Sequence, residues 1–258
     1  MNTRPDRETR PMRIAVVSIT KHGIALAGKV VAALPGAQLF CPGKFRSEGD
    51  NAVLPHSPGA CNGYEGKVGD QVPALFAAFD GIVCIVSLGA VVRLIAPHLK
   101  NKETDPAVIV IDEAGSFVIP VLSGHLGGAN RLAGHLASAL GAQAVLTTAS
   151  DARETIAVDL LGRELGWQFE ASHDEIVRCS AAMVNDEAVA LVQETGSTDW
   201  WANHANGRQG ALPANVTQFA TLEEVPLEQF AAVLWIAHRE MPAAIAARLA
   251  GRRVVYRP

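Results

Sequence analysis

Several of the signals that would name a partner for this 258-residue chain are missing. Basic charge is the first. With 22 Lys and Arg against 26 Asp and Glu the formal net charge is −4, so no basic field exists to attract nucleic acid or an anionic membrane. The longest apolar run, Gly81 to Val92, stops at Arg93 and is too short to span a bilayer. The opening residues, MNTRPDRETRP, are charged and carry no apolar stretch, so residues 1–11 read as a mobile tail and not as a secretory signal. Cysteine is sparse: Cys41, Cys61, Cys84 and Cys179 form no CxxC pair and no metal-finger spacing. Two of them sit in apolar surroundings, where the usual state is a reduced, packed thiol, and the cytoplasm is the expected compartment. The dinucleotide fingerprint, the Walker loop and the GxSxG elbow are all absent, and so is any internal repeat.

What remains is an ordinary globular composition, 49% hydrophobic and 19% charged with 23 Gly and 14 Pro, enough for one large core or two adjoining ones. Arg13 to Ile19 is a β-branched run, and Lys21 to Leu34 repeats at helical spacing. Residues 41–70, rich in Gly, Pro, Ser and Asn, read as a long surface loop that could act as a lid over a ligand. A short helix over 72–79, a strand over 81–86, a helix over 90–99, strands over 107–111 and 117–121, a helix from about 126 to 140 and a strand over 144–147 follow. After Asp151 the pattern restarts. Helical spacing covers 154–165 and 173–183, strands cover 188–193, 232–236 and 253–256, and Pro242 opens the last helix. Continuous Val/Ile strands alternating with helices predict an α/β fold. A three-layer parallel-sheet domain over 12–150 is followed by a smaller α/β domain over 151–258.

In such sheets ligands gather at the carboxyl ends of the strands. That rule selects Thr20–Gly23, Ser87–Gly89, Asp112 onward and Thr147–Asp151. The densest cluster is KNKETDPAVIVIDEAGSFVIPVLSGHLGGANR, Lys100 to Arg131. Its last part, SGHLGGAN, leads into an amphipathic helix. It is either an anion site of free backbone N–H groups or a tight turn capped by Ser123. His125 in this turn is a general acid–base candidate or a surface histidine, and the scattered histidines give no metal couple. The charged residues before the strand read as a solvated loop. Asp112 and Glu113 offer a base or a turn cap. Ser87, Gly89, Thr147, Thr148 and Asp151 are helix caps or ligand contacts. Trp200–Trp201 reads as partly buried packing.

GAVVRLIAPHLKNKETDPAVIVIDEAG and SGHLGGANRLAGHLASALGAQAVLTTASDA together resemble the cobalt-precorrin-5A hydrolases, the protein G family of anaerobic cobalamin biosynthesis. Arg93, KxTDPAV at Lys102–Val108, Asp112–Glu113, SGHLGGAN at Ser123–Asn130 and TTxxD at Thr147–Asp151 occur in the family's order. The resemblance implies opening of the ring-A δ-lactone of cobalt-precorrin-5A and release of acetaldehyde to give cobalt-precorrin-5B. The alternative is a non-catalytic corrinoid-binding subunit. The cobalt travels with the substrate, so no protein metal site or other cofactor is expected. The family's usual C-terminal domain is missing from this sequence. Expected partners are therefore a separate protein supplying it, other enzymes of the pathway or a second copy of the chain.

For that chemistry His125, by its place in a glycine-rich helix entry, is expected to be the general base, oriented or assisted by Asp112 or Asp105. Amides of Gly127 and Gly128 would hold an oxyanion or a substrate carboxylate, with the cations Lys21, Arg93 and Lys102 nearby. Thr104, Ser123, Gly124 and Asn130, then Ser87 and Gly89, then Thr147, Thr148 and Asp151, complete the expected substrate contacts.

Overall fold

Two stretches, Met1–Leu146 and Thr147–Pro258, each fold about a sheet of their own in the computed structural model of the chain. The structure describes residues 11–53, 61–101, 104–125, 127–201 and 211–258, so the expected N-terminal tail lies outside them except for Pro11. Among the described residues no helix is long and apolar enough to cross a membrane.

The first unit runs β1 (Ile14–Ser18), α1 (Lys21–Ala33), β2 (Gln38–Pro42), α2 (Arg46–Val53), β3 (Cys61–Tyr64), α3 (Val68–Ala78), β4 (Gly81–Ile85), α4 (Leu88–Ile95), β5 (Ala107–Ile111), β6 (Phe117–Leu122), α5 (Ala129–Leu140) and β7 (Gln143–Ala144). The sheet order is β3-β2-β1-β4-β5-β6-β7. Strands β1, β4 and β5 are buried along their whole length because helices cover both faces. Ile14, Val16, Val83, Ile109 and Ile111 pack under α1, α2 and α5, whereas Ala15, Val17, Ile82, Cys84, Val108 and Val110 pack under α3 and α4. The alternation of every second residue between two cores makes these strands readable as unbroken apolar runs.

Two expectations for this unit are corrected. The expected long loop over 41–70 is not what the described residues of that span form. They hold α2 and the edge strand β3, which pairs parallel to β2. The polar composition follows from position. An edge strand and a helix burying only Gly49 and Val53 need little apolar surface. Gly49 is itself a packing residue, since a Cβ there would lie 2.5 Å from Cys61 Sγ. The sheet is also not wholly parallel: β6 runs antiparallel to β5. The connection over 112–116 is too short for a crossover, and Gly115 turns it with φ +70°.

The second unit contains α6 (Ala149–Ala152), β8 (Gln168–Glu170), α7 (His173–Val184), β9 (Val189–Gln193), β10 (Val216–Phe219), β11 (Ala232–Ile236), α8 (Ala243–Arg248) and β12 (Arg253–Arg257). Its order is β10-β9-β11-β12-β8, parallel except for β8. Trp200 is buried with its Nε1 donating to Gln193 Oε1 at 3.0 Å, and Pro242 precedes α8.

The expected helix over 154–165 does not form. Its bonds are separate short turns, Leu160 N to Ala157 O and Arg163 N to Leu160 O, bounded by Glu154 at φ +52° and Gly162 at φ +74°. Ile156, Val158 and Leu161 still enter the core, and Tyr256 Oη donates to Val158 O at 2.7 Å. The apolar spacing was therefore real and the backbone ladder was not. A Cβ on Gly162 would lie 2.1 Å from Trp167 Cε3. Gly162→Ala combines left-handed strain with overpacking and should lower the unfolding free energy by about 3 kcal/mol, read by denaturant unfolding.

Candidate active site

The reversal of β6 divides the expected site residues of the first unit between opposite edges of its sheet. Strands β1, β4 and β5 end at the carboxyl edge, where the chain turns into Thr20–Lys21, Ser87–Gly89 and Asp112–Glu113. Leu122 pairs with Val108 near the start of β5, so Ser123 and the glycine-rich loop leave the sheet at the amino edge. The five residues of β5 separate the two edges by about 17 Å at about 3.3 Å per residue. The expectation that Asp112 orients His125 is thereby corrected. The same holds for Lys21 as a cation near the glycine loop, and the expected contacts Ser87 and Gly89 lie with it at the carboxyl edge.

At the carboxyl edge Thr20 caps α1, its Oγ1 accepting from Gly23 N at 3.0 Å and donating to Glu113 Oε1. Asp112 Oδ1 accepts from Phe117 N at 2.6 Å, so this carboxylate ties the β5–β6 hairpin. Ser87 caps α4 through its backbone alone. Arg93 is exposed on α4 and donates from Nη1 to Gly89 O at 3.3 Å.

The amino edge collects the other group. Asp105, which composition alone placed in a solvated loop, is 5% exposed. Both of its carboxylate oxygens accept from Lys100 N, at 3.2 and 2.9 Å, and its own N–H donates to Asn101 O at 3.1 Å. Asn101 Oδ1 in turn accepts from Thr104 N and Thr104 Oγ1 at 2.9 and 3.0 Å. Asp105 therefore shapes the 100–105 loop, and its link to the glycine loop is its carbonyl, which accepts from Ser123 Oγ at 3.1 Å. Lys102 lies outside the described residues.

The loop Ser123–Asn130 closes on itself. Ser123 has φ +57°, a left-handed conformation that a residue with a side chain adopts at a cost of about 1 kcal/mol or more. Its carbonyl accepts from Ala129 N at 3.2 Å, Gly124 O accepts from Asn130 N at 3.0 Å, and His125 O accepts from Gly128 N at 2.9 Å. A Cβ on Gly127 would lie 2.3 Å from Ser123 Cβ and 2.7 Å from Ser123 O, and one on Gly124 would lie 2.7 Å from Asn130 Oδ1. Gly128, at φ +81°, ends the loop, so α5 begins at Ala129 and not near residue 126. Of the two amides expected to hold an anion, that of Gly128 is already bonded to His125 O inside the loop. The loop places His125 at a partly exposed position.

The chain leaves the sheet through β7, parallel to β6, and Thr147, Thr148 and Asp151 belong to the second unit. Thr148 O accepts from Ala152 N at 2.9 Å at the start of α6, and the side chain of Asp151 lies outside the described ones.

In the second unit the carboxyl edge is occupied by its own ion pairs. Glu194, just after β9, accepts from Leu222 N at 3.0 Å and from Arg239 Nε and Nη2, both at 2.7 Å, while Arg239 also bonds Glu223. The Arg239 guanidinium holds the Glu194 carboxyl below its usual 4.5, against an opposing effect of burial. A depressed folded-state value contributes stability above the unfolded value, lost as pH falls through the folded one. Arg239→Ala should therefore make acid unfolding of this unit begin at higher pH than in the wild type, measured by denaturant midpoints between pH 7 and pH 3. Among the described residues no group of three or more His, Cys, Asp or Glu side chains is arranged to hold a metal ion.

Residues 70–151 match the family model described as Cobalamin synthesis G N-terminal, and residues 156–258 match the Cobalamin biosynthesis central region. A Priestia megaterium protein named cobalt-precorrin-5A hydrolase is 40% identical over 244 residues, which is 95% of this chain and 62% of that protein. A Salmonella typhimurium protein of the same name is 34% identical over 192 residues, 74% of this chain and 49% of its own. A solved structure of a cobalamin biosynthesis protein G homologue from Sulfolobus solfataricus aligns over 95% of this chain and 60% of its own, with 18% identity and a TM-score of 0.49. The chain spans about half to six-tenths of the length of these curated relatives.

Proposed function

The chain belongs to the protein G family of cobalamin biosynthesis, and from that premise we propose that it is a cobalt-precorrin-5A hydrolase whose reacting lactone meets the amino edge of the first sheet. The observation that carries the placement is the closed Ser123–Asn130 loop, which joins the buried Asp105 segment through Ser123 and holds His125 at the surface.

The chemistry asked of the site has two stages. Water adds to the lactone carbonyl and the ring C–O bond breaks, leaving a carboxylate and a hydroxyl group. Removal of that hydroxyl proton then breaks the C–C bond to the macrocycle. Acetaldehyde leaves, and the macrocycle keeps the electron pair. A base is needed in both stages, and His125 is the side chain of the loop that can take and return a proton near neutral pH. Asp105 is a positioning residue, since its contacts are to the backbone of its own loop and, through its carbonyl, to Ser123. Cobalt enters as part of the substrate.

Incubating the purified chain with cobalt-precorrin-5A should release one acetaldehyde per cobalt-precorrin-5B formed. Tight binding of the corrinoid with no acetaldehyde would overturn the hydrolase reading in favour of a corrinoid-carrying subunit.

A further inference from the structure

Most described arginines spend their terminal nitrogens within the protein. Arg239 bonds Glu194 and Glu223, Arg257 bonds Glu170 and two carbonyls, Arg252 bonds three carbonyls and Arg253 bonds Ala246 O. Arg13 differs. Its Nε donates to Asp80 Oδ2 at 3.3 Å and its backbone N–H donates to the same oxygen at 3.1 Å. The Asp80 side chain is 5% exposed and that of Arg13 is 46% exposed. The buried carboxylate pins the guanidinium by its inner nitrogen, and among the described residues neither terminal nitrogen has a partner.

The pair stands on the amino edge. Arg13 O accepts from Asp80 N at 2.9 Å and from Gly81 N at 3.2 Å, while Asp80 O accepts from Ala107 N at 2.9 Å. The starts of β1, β4 and β5 are thus tied side by side, and the end of β6 with Ser123 comes next. Arg13 is three strand spacings from Ser123, about 14 Å at about 4.8 Å each. A macrocycle with carboxylate arms around its rim spans a gap of that order.

We propose that Arg13, positioned by Asp80, binds a peripheral carboxylate of the substrate while the lactone lies at the His125 loop. This rests on the corrinoid reading above. The two terminal nitrogens of a pinned guanidinium form a fork that matches the two oxygens of a carboxylate, with little side-chain freedom left to lose. Asp80 offsets the long-range charge, so the contact selects geometry and does not merely attract anions.

The test uses the full chain and two probes: a stable cobalt corrinoid with free peripheral carboxylates, and the same corrinoid with them converted to amides. In Arg13→Lys the ammonium stays on Asp80 and the fork is lost. This variant should melt like the wild type yet bind the carboxylate probe about 10- to 100-fold more weakly, with unchanged binding of the amide probe. Arg13→Gln and Asp80→Asn should shift binding in the same direction, and with cobalt-precorrin-5A the loss should fall on KM and not on kcat. Equal weakening toward both probes, or wild-type binding of the carboxylate probe by Arg13→Lys, overturns the proposal. Failure of the wild type to bind either probe overturns the corrinoid reading itself.

Discussion

His125→Gln is expected to lower acetaldehyde release from cobalt-precorrin-5A by about 10²- to 10⁴-fold, the range that general acid–base groups contribute. Glutamine keeps a polar side chain of similar reach but cannot exchange a proton near neutral pH. Three bonds that close the loop, from Ala129 N to Ser123 O, Asn130 N to Gly124 O and Gly128 N to His125 O, are backbone bonds that the substitution leaves in place. The variant should therefore melt close to the wild type and still bind corrinoid. A folded His125→Gln that releases acetaldehyde at the wild-type rate would remove His125 from the chemistry.

Gly127→Ala is expected to abolish most activity by a different route. The added methyl would sit 2.3 Å from Ser123 Cβ and 2.7 Å from Ser123 O, the atom that accepts from Ala129 N. Neither neighbour is a flexible side-chain end, so the loop must open. Displacing a reacting group by about 1 Å is enough to cost about 100-fold in rate, and overpacking of this kind destabilises by about 1–3 kcal/mol. Gly134→Ala in α5 is the control. A Cβ there meets nothing within 4 Å, and in a helix interior alanine should add about 0.5–1 kcal/mol of stability. Rate assays with paired melting curves separate the two outcomes. Equal activity in Gly127→Ala and Gly134→Ala would show that loop closure is irrelevant to the reaction.

Much of the architecture was readable because its strands are unambiguous. Ala107–Ile111 and Ala232–Ile236 are fully buried β-branched or apolar runs, and the expected bounds coincide with the observed ones. Strand direction was not readable from periodicity, since an antiparallel strand such as Phe117–Leu122 carries the same side chains as a parallel one. The brevity of the 112–116 connection was the available signal, and it decides the site because it sends Ser123 and Asp112 to opposite edges. Helix α2 and strand β3 were missed because an edge element with few buried residues has the composition of a loop.

The glycine loop itself was legible as the start of a helix, but the fate of its amides was not. Gly128 N–H could be assigned to an anion until the backbone placed His125 O 2.9 Å away. Asp105 was hidden by its charged neighbours, although its burial follows from capping Lys100 N directly before a core strand. The Arg13–Asp80 pair, 67 residues apart, had no local signature at all.

The position of a bound corrinoid tests the account most directly. A structure of the chain soaked with a stable cobalt corrinoid should show the macrocycle at the amino edge of the first sheet, against Ser123–Asn130 and with a carboxylate on Arg13. A macrocycle seated at the carboxyl edge, against Thr20, Ser87 and Glu113, would contradict it.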